Sequence, residues 1–427
     1  INKAIDKGLN ALNKKLQETT TEQEAIRKKI NNHSSLYNKV DVSSLKTGII
    51  ENLTKMLKDN NFYRLLDDNP YTIAFKNGLY NIKTKTFTEG IKPEDYITKT
   101  LQYDYDDTRN ETHEKWLKKE FLKICNNNEE HMEYIFSIIG YALSGDSSKY
   151  KHIYSFIGQS ASNGKTTILT ALTDAFPEYV AKGNSDMIDS KCANKHHKFL
   201  TKLKGNRLVW LEEIAESAII DSRLIKLIAD GDIINNEVLF GTNEDIINNS
   251  KLFSCSNHSW KFNKADEGIS RRFNHIQLDS HFSKDHKEDN YEKKQFKVDY
   301  EINKKIQERK MSLFHILMEY ANKVFTNGLP NTPQEFINEK EETMEMNKNV
   351  LQLWIEENIN FHANGQRVSK KEIKEAYENA GNKVDSTFDK QFRDEMKKLG
   401  VTFNRNTTSN GNRGVFIDIS LKPPTPM

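Results

Sequence analysis

The run Asn163-Gly164-Lys165-Thr166-Thr167 holds the residue types that grip a polyphosphate. Backbone N–H groups of a small-residue loop, and of a helix N-terminus behind it, present positive dipole to anionic oxygens. Lys165 is expected to reach the β- and γ-phosphates of ATP, and the Thr166 hydroxyl to coordinate Mg²⁺, with Ser162 and Thr167 flanking the cradle. Further along, Glu212-Glu213 closes an apolar run. One carboxylate of such a pair can hold the metal shell while its neighbour polarises an attacking water. Glu212 is assigned to Mg²⁺ and Glu213 to the water, with the reverse as the alternative. Asn257 offers an amide able to orient that water and sense the γ-phosphate. Arg271-Arg272 comes last. An arginine lent to a neighbouring subunit's nucleotide stabilises the charge developing on the phosphoryl group, an effect of about 10³–10⁵ in rate in other systems.

These side chains need elements to aim them. His152–Gly158 is a short apolar strand candidate running into the lysine loop. Behind the loop, Ile168, Leu169, Leu172, Ala175 and Phe176 share one helical face, stopped by Pro177. Strand, small-residue loop, Gly-Lys-Thr and helix together form the context a phosphate loop requires. One departure stands out. Five residues rather than four separate Gly158 from Gly164, and Gln159 takes the place of the usual first glycine, so the loop must start differently. Arg207–Leu211, Lys251–Ser256 and His275–Leu278 are further apolar strands. The C-terminal end of such a strand is where α/β folds place ligands. From His152 onward strands alternate with helices, predicting an α/β fold with a mostly parallel sheet. Singly, each motif has a plain alternative: a chance loop, a solvated helix start, a capped strand, a surface charge pair. Their order and spacing favour the functional reading.

On either side the texture differs. Residues 1–60 are polar and helix-forming, with Ile5, Leu9, Leu12 and Leu16 at helical spacing. A connector is favoured there over an oligomerisation face. Tyr71–Asn81, broken by Asn77-Gly78, signals a hairpin, and Asp95–Tyr105 is a second β-like stretch. Trp116–Ile124 and Tyr134–Ile139 read as amphipathic helices ending near Gly145. Residues 331–349 look like a boundary or an exposed helix. Beyond Val350 come helices and a strand pair split by Thr407–Gly414. Val368–Tyr377 has a helix start at Ser369. Phe388–Leu399 carries Lys390, Arg393, Lys397 and Lys398, and Arg405 and Arg413 lie near the tip of a wing. Between Arg367 and Lys422 stand twelve Lys/Arg against eight Asp/Glu, a net of +4. A local basic excess is what DNA binding requires; a protein-docking winged helix is the alternative.

The chain as a whole is balanced, with 63 Lys plus Arg against 61 Asp plus Glu in 427 residues, so a nucleic-acid site must be local rather than a global field. The three cysteines, Cys125, Cys192 and Cys255, show no paired spacing, which argues for a reducing cytoplasm. No long apolar run or signal peptide indicates a membrane or export. Cys192, His196 and His197 do not make a spaced four-ligand zinc set. Trp260 and Phe262, just past Asn257, are candidate DNA contacts, the other aromatics being core by default. A first residue of Ile suggests a fragment with a domain, such as a primase, upstream.

The order Asn163-Gly-Lys-Thr-Thr167, Gly205–Glu213, Ile225–Asp232, Asn257 and Ser270-Arg-Arg-Phe273 resembles the superfamily 3 primase–helicases of phages and plasmids, typified by phage P4 and poxvirus D5. Ala74–Leu79 through Gly140–Gly145 looks like that family's small domain before the ATPase, and the tail looks like its winged helix. The resemblance implies an N-terminal helical connector at 1–60, a D5-type mixed α/β domain at 61–148, an AAA+-like P-loop ATPase core at 149–330, a linker at 331–349 and a winged-helix DNA-binding domain at 350–427. It also implies a homo-hexameric ring with ATP and Mg²⁺ between subunits, and single-stranded or forked duplex DNA, with an origin sequence a further candidate, through the centre. The family's DNA-touching hairpin would fall at about Glu237–Asn249. Its tip, Phe240–Asn243, carries no Lys or Arg, so it would act through backbone and polar groups, and Lys226 and Lys251 would only support the sheet. Two rival functions follow from the same motifs. An ATP-switched origin-binding or loader protein would bind DNA without unwinding it. A small-molecule P-loop kinase would need neither the late Arg-Arg nor a basic tail.

Overall fold

The structure, a computed structural model, describes residues 7–11, 23–40, 43–57, 62, 65–146, 149–158, 162–231, 233–236 and 244–422. The chain divides into two units, Ile1–Asp68 and Asn69–Met427. The first contains helices α1 (Gln23–Val40) and α2 (Ser43–Met56). Of the connector stripe, Leu9 is helical, while Ile5, Leu12 and Leu16 lie outside the described residues.

The second unit opens with an antiparallel meander, β1 (Thr72–Phe75), β2 (Gly78–Asn81) and β3 (Thr86–Glu89). Phe75 pairs with Gly78, so Lys76-Asn77 form the two-residue loop and Gly78 opens β2. A Cβ at Gly78 would run into the Thr88 carbonyl. Glycine is therefore required by the approach of β3 rather than by the turn. The β-like stretch Asp95–Tyr105 is not a strand. It holds a 3₁₀ turn at Pro93–Asp95 and one isolated bridge, Phe75 to Leu101. Two backbone bonds, Leu101 N–H to the Ala74 carbonyl and Lys76 N–H to the Tyr103 carbonyl, are extended by a side-chain amide: Asn77 Nδ2 donates to the Tyr105 carbonyl at 2.9 Å, and the Tyr105 N–H donates to Asn77 Oδ1 at 2.8 Å. Helices α3 (Glu111–Ile124) and α4 (Glu129–Leu143) follow as expected, each started by an asparagine cap, Asn110 and Asn128.

The centre is a five-stranded sheet in the order β10-β4-β9-β6-β5, every neighbour parallel. Its members are β4 (Ile153–Ile157), β5 (Val180–Asn184), β6 (Leu208–Glu212), β9 (Lys251–Ser256) and β10 (Phe273–Gln277). In β4, β9 and β10 every residue is buried. A parallel sheet is covered on both faces, which is why its strands read as apolar runs rather than alternations. Around it lie α5 (Lys165–Ala175), α6 (His196–Leu203), α7 (Ser222–Asp230), the hairpin β7 (Ile233–Asn236) and β8 (Glu244–Ile247), and α8 (Glu267–Ser270). The hairpin's tip at residues 237–243 lies outside the described residues. A parallel pair, β11 (His281–Ser283) and β12 (Gln295–Lys297), then leads to α9 (Ile302–Gln307) and α10 (Lys310–Asn327). Residues 331–349 hold a helix, α11 (Gln334–Met346), with Phe336 and Thr343 buried.

The tail orders as α12 (Val350–Asn358), β13 (Ile359–Phe361), β14 (Arg367–Ser369), α13 (Lys370–Asn379), α14 (Phe388–Lys398), β15 (Phe403–Ser409), β16 (Asn412–Ile417) and β17 (Ile419–Leu421). It has its own core of Trp354, Ile373, Tyr377, Phe388, Phe392 and Phe416 among others. Ser369 caps α13, with Glu372 closing the capping box. The β15–β16 turn is narrower than Thr407–Gly414. Asn410 and Gly411, the two residues between the strands, take positive φ, 48° and 76°, the type I′ signature.

Candidate active site

Because β4, β9 and β6 lie side by side and run the same way, the segments after their last residues converge at one edge, about 5 Å apart strand to strand. The lysine loop, Asn257 and Glu212-Glu213 thus meet although they are distant in sequence. Lys165 is only 6% exposed. Its ammonium donates to the Gly158 carbonyl at 3.0 Å, Asn163 Oδ1 at 2.5 Å and Asn257 Oδ1 at 3.1 Å. A cleft of about 310 Å³ opens beside it, lined by Ser162–Thr167, Glu212, Glu213, Cys255, Ser256 and Asn257. Burial lowers the Lys165 pKa. A partly desolvated ammonium held by neutral acceptors is a site that gains from an anion.

Two glycines shape the loop. Gly164 precedes α5 at φ 82°, and a Cβ there would meet Ile124 Cγ1 at 2.8 Å. At Gly158 a Cβ would press on Asn163 Nδ2 at 2.5 Å and on the Leu278 carbonyl. The loop therefore folds back over the strand that feeds it. Gln159, the residue of the unusual five-residue spacing, lies outside the described residues.

The acidic pair diverges. Glu212 ends β6 and makes an ion pair with Lys182 of β5, whose ammonium also sits 4.9 Å above the Trp210 ring. Glu213 is exposed and turns to φ 51°. A non-glycine residue held there costs about 1–2 kcal/mol, and its carbonyl is fixed by the Ser185 hydroxyl at 3.0 Å. Lys182 escaped the sequence reading. Nothing in Val180–Asn184 announces a strand beside the acidic one, and only the β5–β6 register sets Lys182 opposite Trp210. Cys255 is pushed up to about 12 by burial, so it stays a thiol at neutral pH.

Residues 3–122 match the family described as "D5 N terminal like", a span that begins before residue 61 and stops in α3. Among curated proteins, the chain is similar to three called "Putative helicase". It is 24% identical to L207/L206 of Acanthamoeba polyphaga mimivirus over 70% of this chain and 32% of that protein. It is 27% identical to V13 of the Sputnik virophage over 63% and 34%, and 27% identical to 121R of Invertebrate iridescent virus 3 over 67% and 31%. These matches are consistent with the D5-type primase–helicase family. The chain spans about a third of the length of these relatives. Among solved structures, the apo C-terminal region of NrS-1 is 14% identical, covering 74% of this chain and 78% of that one, with a TM-score of 0.46.

Elsewhere in the chain the candidate residues separate. Arg271 is exposed, its side chain 71% accessible and 3.8 Å from Glu267. Arg272 turns inward: Nε and Nη2 donate to Asp230 at 3.0 and 2.6 Å, and Nη1 donates to the Gly268 carbonyl at 2.8 Å. Neither arginine lines the cleft. Trp260 and Phe262, expected as DNA contacts, are 1% and 8% exposed and pack with Phe273. That expectation is overturned, because the apolar back of the sheet claims both rings. Lys251 is buried with its ammonium on the Tyr150 carbonyl, and Lys226 pairs with Asp266, the cap of α8, at 2.7 Å. In the tail Lys390, Lys397, Lys398, Arg405 and Arg413 are exposed. Lys398 is paired with Glu395, and Arg393 is half-buried with its guanidinium 5.3 Å from the Phe403 ring centre. The side chains of His196 and His197 lie outside the described residues. No helix among the described residues is long and apolar enough to cross a membrane.

Proposed function

We propose that this chain is a superfamily 3 DNA helicase that assembles as a homo-hexameric ring, hydrolyses ATP with Mg²⁺ and unwinds duplex DNA in replication. The observation that carries the reading is the Lys165–Asn257 hydrogen bond inside a cleft shared with Glu212 and Glu213. The chain supplies its parts as follows. The Ser162–Thr167 loop, with its N–H groups and the start of α5, binds the triphosphate, and Lys165 neutralises the β- and γ-phosphates. Thr166 and Glu212 are hard oxygen donors on one cleft and suit Mg²⁺, which when bound offsets charge on the phosphates. To serve it, Glu212 must leave Lys182. Glu213 accepts a proton from the attacking water, and Asn257 orients that water against the γ-phosphate. Arg271, exposed and away from its own cleft, acts on the nucleotide of the neighbouring subunit.

In this reading residues 149–330 are the AAA+-like P-loop core, 61–148 and 1–60 the D5-type domain and connector, and 350–427, after the 331–349 segment, a winged helix that holds DNA through Lys390, Lys397, Arg405 and Arg413. Lys165→Ala removes the buried ammonium, and ATP hydrolysis should fall to background. Turnover near wild type in that variant would refute the site. Strand displacement on a forked duplex tests the motor itself. An ATP-dependent DNA complex without displacement would instead make the protein a loader, and ATPase indifferent to single-stranded DNA would point to a small-molecule kinase.

A further inference from the structure

Three residues, 347–349, join the tail to the body that carries the parallel sheet, between the end of α11 and the start of α12. Asn347 belongs to the body. Its Oδ1 accepts from the Phe262 N–H at 2.7 Å, and its Nδ2 donates to the Trp260 carbonyl at 2.7 Å. Asn349 belongs to the tail, where it caps α12 and Gln352 closes the box. Lys348 stands between them, 2.5 Å from Glu345 of α11 and 2.7 Å from Glu356 of α12. Among the described residues no hydrogen bond or ion pair joins 69–346 directly to 350–422. Space lies there instead. A gap of about 260 Å³ has Ala265, Met344, Ile355 and Leu399 as its apolar walls, and beside it runs a groove of about 840 Å³. The groove has residues 262–265 of the body on one side and α14 on the other. In α14 the exposed residues are Lys390, Gln391, Asp394, Lys397 and Lys398. Of these, Gln391, Asp394 and Lys398 line the groove, across from Asn263 and Lys264.

We propose that the tail rests in a closed position that shuts duplex DNA out of α14, and that it swings about residues 347–349 to admit it. The inference rests on the DNA-holding reading of the tail and adds the condition under which that surface is free. In that reading α14 is the second helix of a helix-turn-helix pair, which works by lying in a major groove about 12 Å wide with a phosphate backbone on either flank. With the body standing across from Gln391 and Lys398, the groove takes a few side chains but no duplex. Lys390 and Lys397, on the side of α14 turned away from it, still attract phosphate, so the closed form keeps the attraction and lacks the fit. Opening disturbs little. Asn347 stays with the body, Asn349 stays with the tail, and what must yield is the apolar gap and the Lys348–Glu356 pair, which is partly exposed and therefore weak. The tail's own core of Trp354, Phe388, Phe392 and Phe416 moves with it intact.

Spin labels on the full chain at Ala265→Cys and Leu399→Cys, in a Cys192→Ser background, report the width of the gap by dipolar spectroscopy. The free chain should give one short distance. Duplex DNA, added where fluorescence anisotropy shows it bound, should bring in a longer one. A distribution unchanged by bound duplex overturns the closed position and leaves DNA binding standing, whereas a chain that binds no duplex overturns the DNA reading of the tail as well. Joining the same two cysteines with a short bismaleimide should weaken duplex binding about tenfold or more, because the fit of the helix is lost. The same variant capped with N-ethylmaleimide controls for misfolding, and equal affinity in the linked and capped chains would refute the proposal. Glu356→Gln, which releases the ion pair across the joint, should tighten duplex binding about threefold by favouring the open form. Weaker binding in that variant would mean that the pair holds the binding-competent arrangement, and the closed position would fall.

Discussion

Arg271 and Arg272 are neighbours in sequence with opposite environments, so one substitution made twice gives two different outcomes. Arg272 gives Asp230 two hydrogen bonds and closes on the Gly268 carbonyl, with its side chain 20% exposed. Removing it leaves Asp230 with Lys151 at 3.7 Å in a partly buried place, which costs about 1–3 kcal/mol. Arg272→Ala should therefore lower the thermal midpoint while the folded fraction still binds nucleotide. Arg271 is 71% exposed and loosely paired, and surface substitutions of that kind leave stability within about 0.5 kcal/mol. Arg271→Ala should melt like wild type yet lose about 10³-fold in DNA-stimulated turnover. Equal turnover in the two variants, or a melting loss confined to Arg271→Ala, would reverse these roles. The dipeptide alone stated that an arginine was available. Which one faces out was settled by Asp230 at the end of α7, forty-two residues earlier, a pairing that no local pattern announces.

At the scale of elements, the strands that carry the site were legible because they are buried on both faces. β4, β6, β9 and β10 each read as an apolar run for that reason. β5 was not, since only Val180 in it is buried, the rest being partly or fully exposed, and it includes a glycine, and with it went Lys182. The opposite error came from Asp95–Tyr105, where alternation was present but pairing with β1 goes no further than the one bridge from Phe75 to Leu101. Helix contacts show a similar limit. Gly140 of α4 sits where a Cβ would run into the Leu317 carbonyl of α10, with the Ala321 N at 2.9 Å. The obstacle is backbone, so it cannot rotate aside; the helices would have to part. Overpacking of this kind costs about 1–3 kcal/mol, against a gain of up to about 1 kcal/mol for alanine over glycine in a helix. Gly140→Ala should thus lower the denaturation midpoint, and a raised midpoint would show that the two helices are not in such close contact. As sequence, Gly140 merely resembled part of a family motif; its physical reason is the crossing of α4 and α10.

Over the whole molecule the buried bases and the buried acids set opposite limits on stability as pH changes. Burial, with Lys251 and Lys340 adding repulsion, lowers His152 to about 4, and burial lowers Lys251 to about 8. Lys165 and Lys340 are lowered by burial too. For a base whose folded pKa lies below its unfolded value, the unfolded chain binds more protons between the two, so stability rises with pH across that window. For His152 the window runs from about 4 to about 6.5, and for Lys251 from about 8 to about 10.5. Tyrosines close the range from above. Burial raises Tyr103, Tyr141, Tyr154 and Tyr320 above their ordinary value of 10. The unfolded chain loses those protons first, and stability falls once pH passes about 10. Burial also raises the Cys125 and Cys255 thiols, so the unfolded chain gives up those protons first, from about pH 8.5. Maximal stability should therefore sit at about pH 7–8. Urea midpoints should climb from about pH 5 to pH 7 and fall by about pH 11. Between about pH 8 and 9 Lys251 adds a rise on the order of 1 kcal/mol at 1.36 kcal/mol per unit, which the two thiols offset. Lys251→Met, which removes the ammonium from Tyr150 while keeping a long apolar stem, should remove that rise, so that its midpoint falls between about pH 8 and 9 where the wild type stays nearly level, and leave the acid limb to His152. A variant whose midpoint runs parallel to the wild type between about pH 7 and 9 would mean that Lys251 keeps its proton in the folded chain as readily as in the unfolded one, and that its burial is relieved by water or by a charge from beyond this chain.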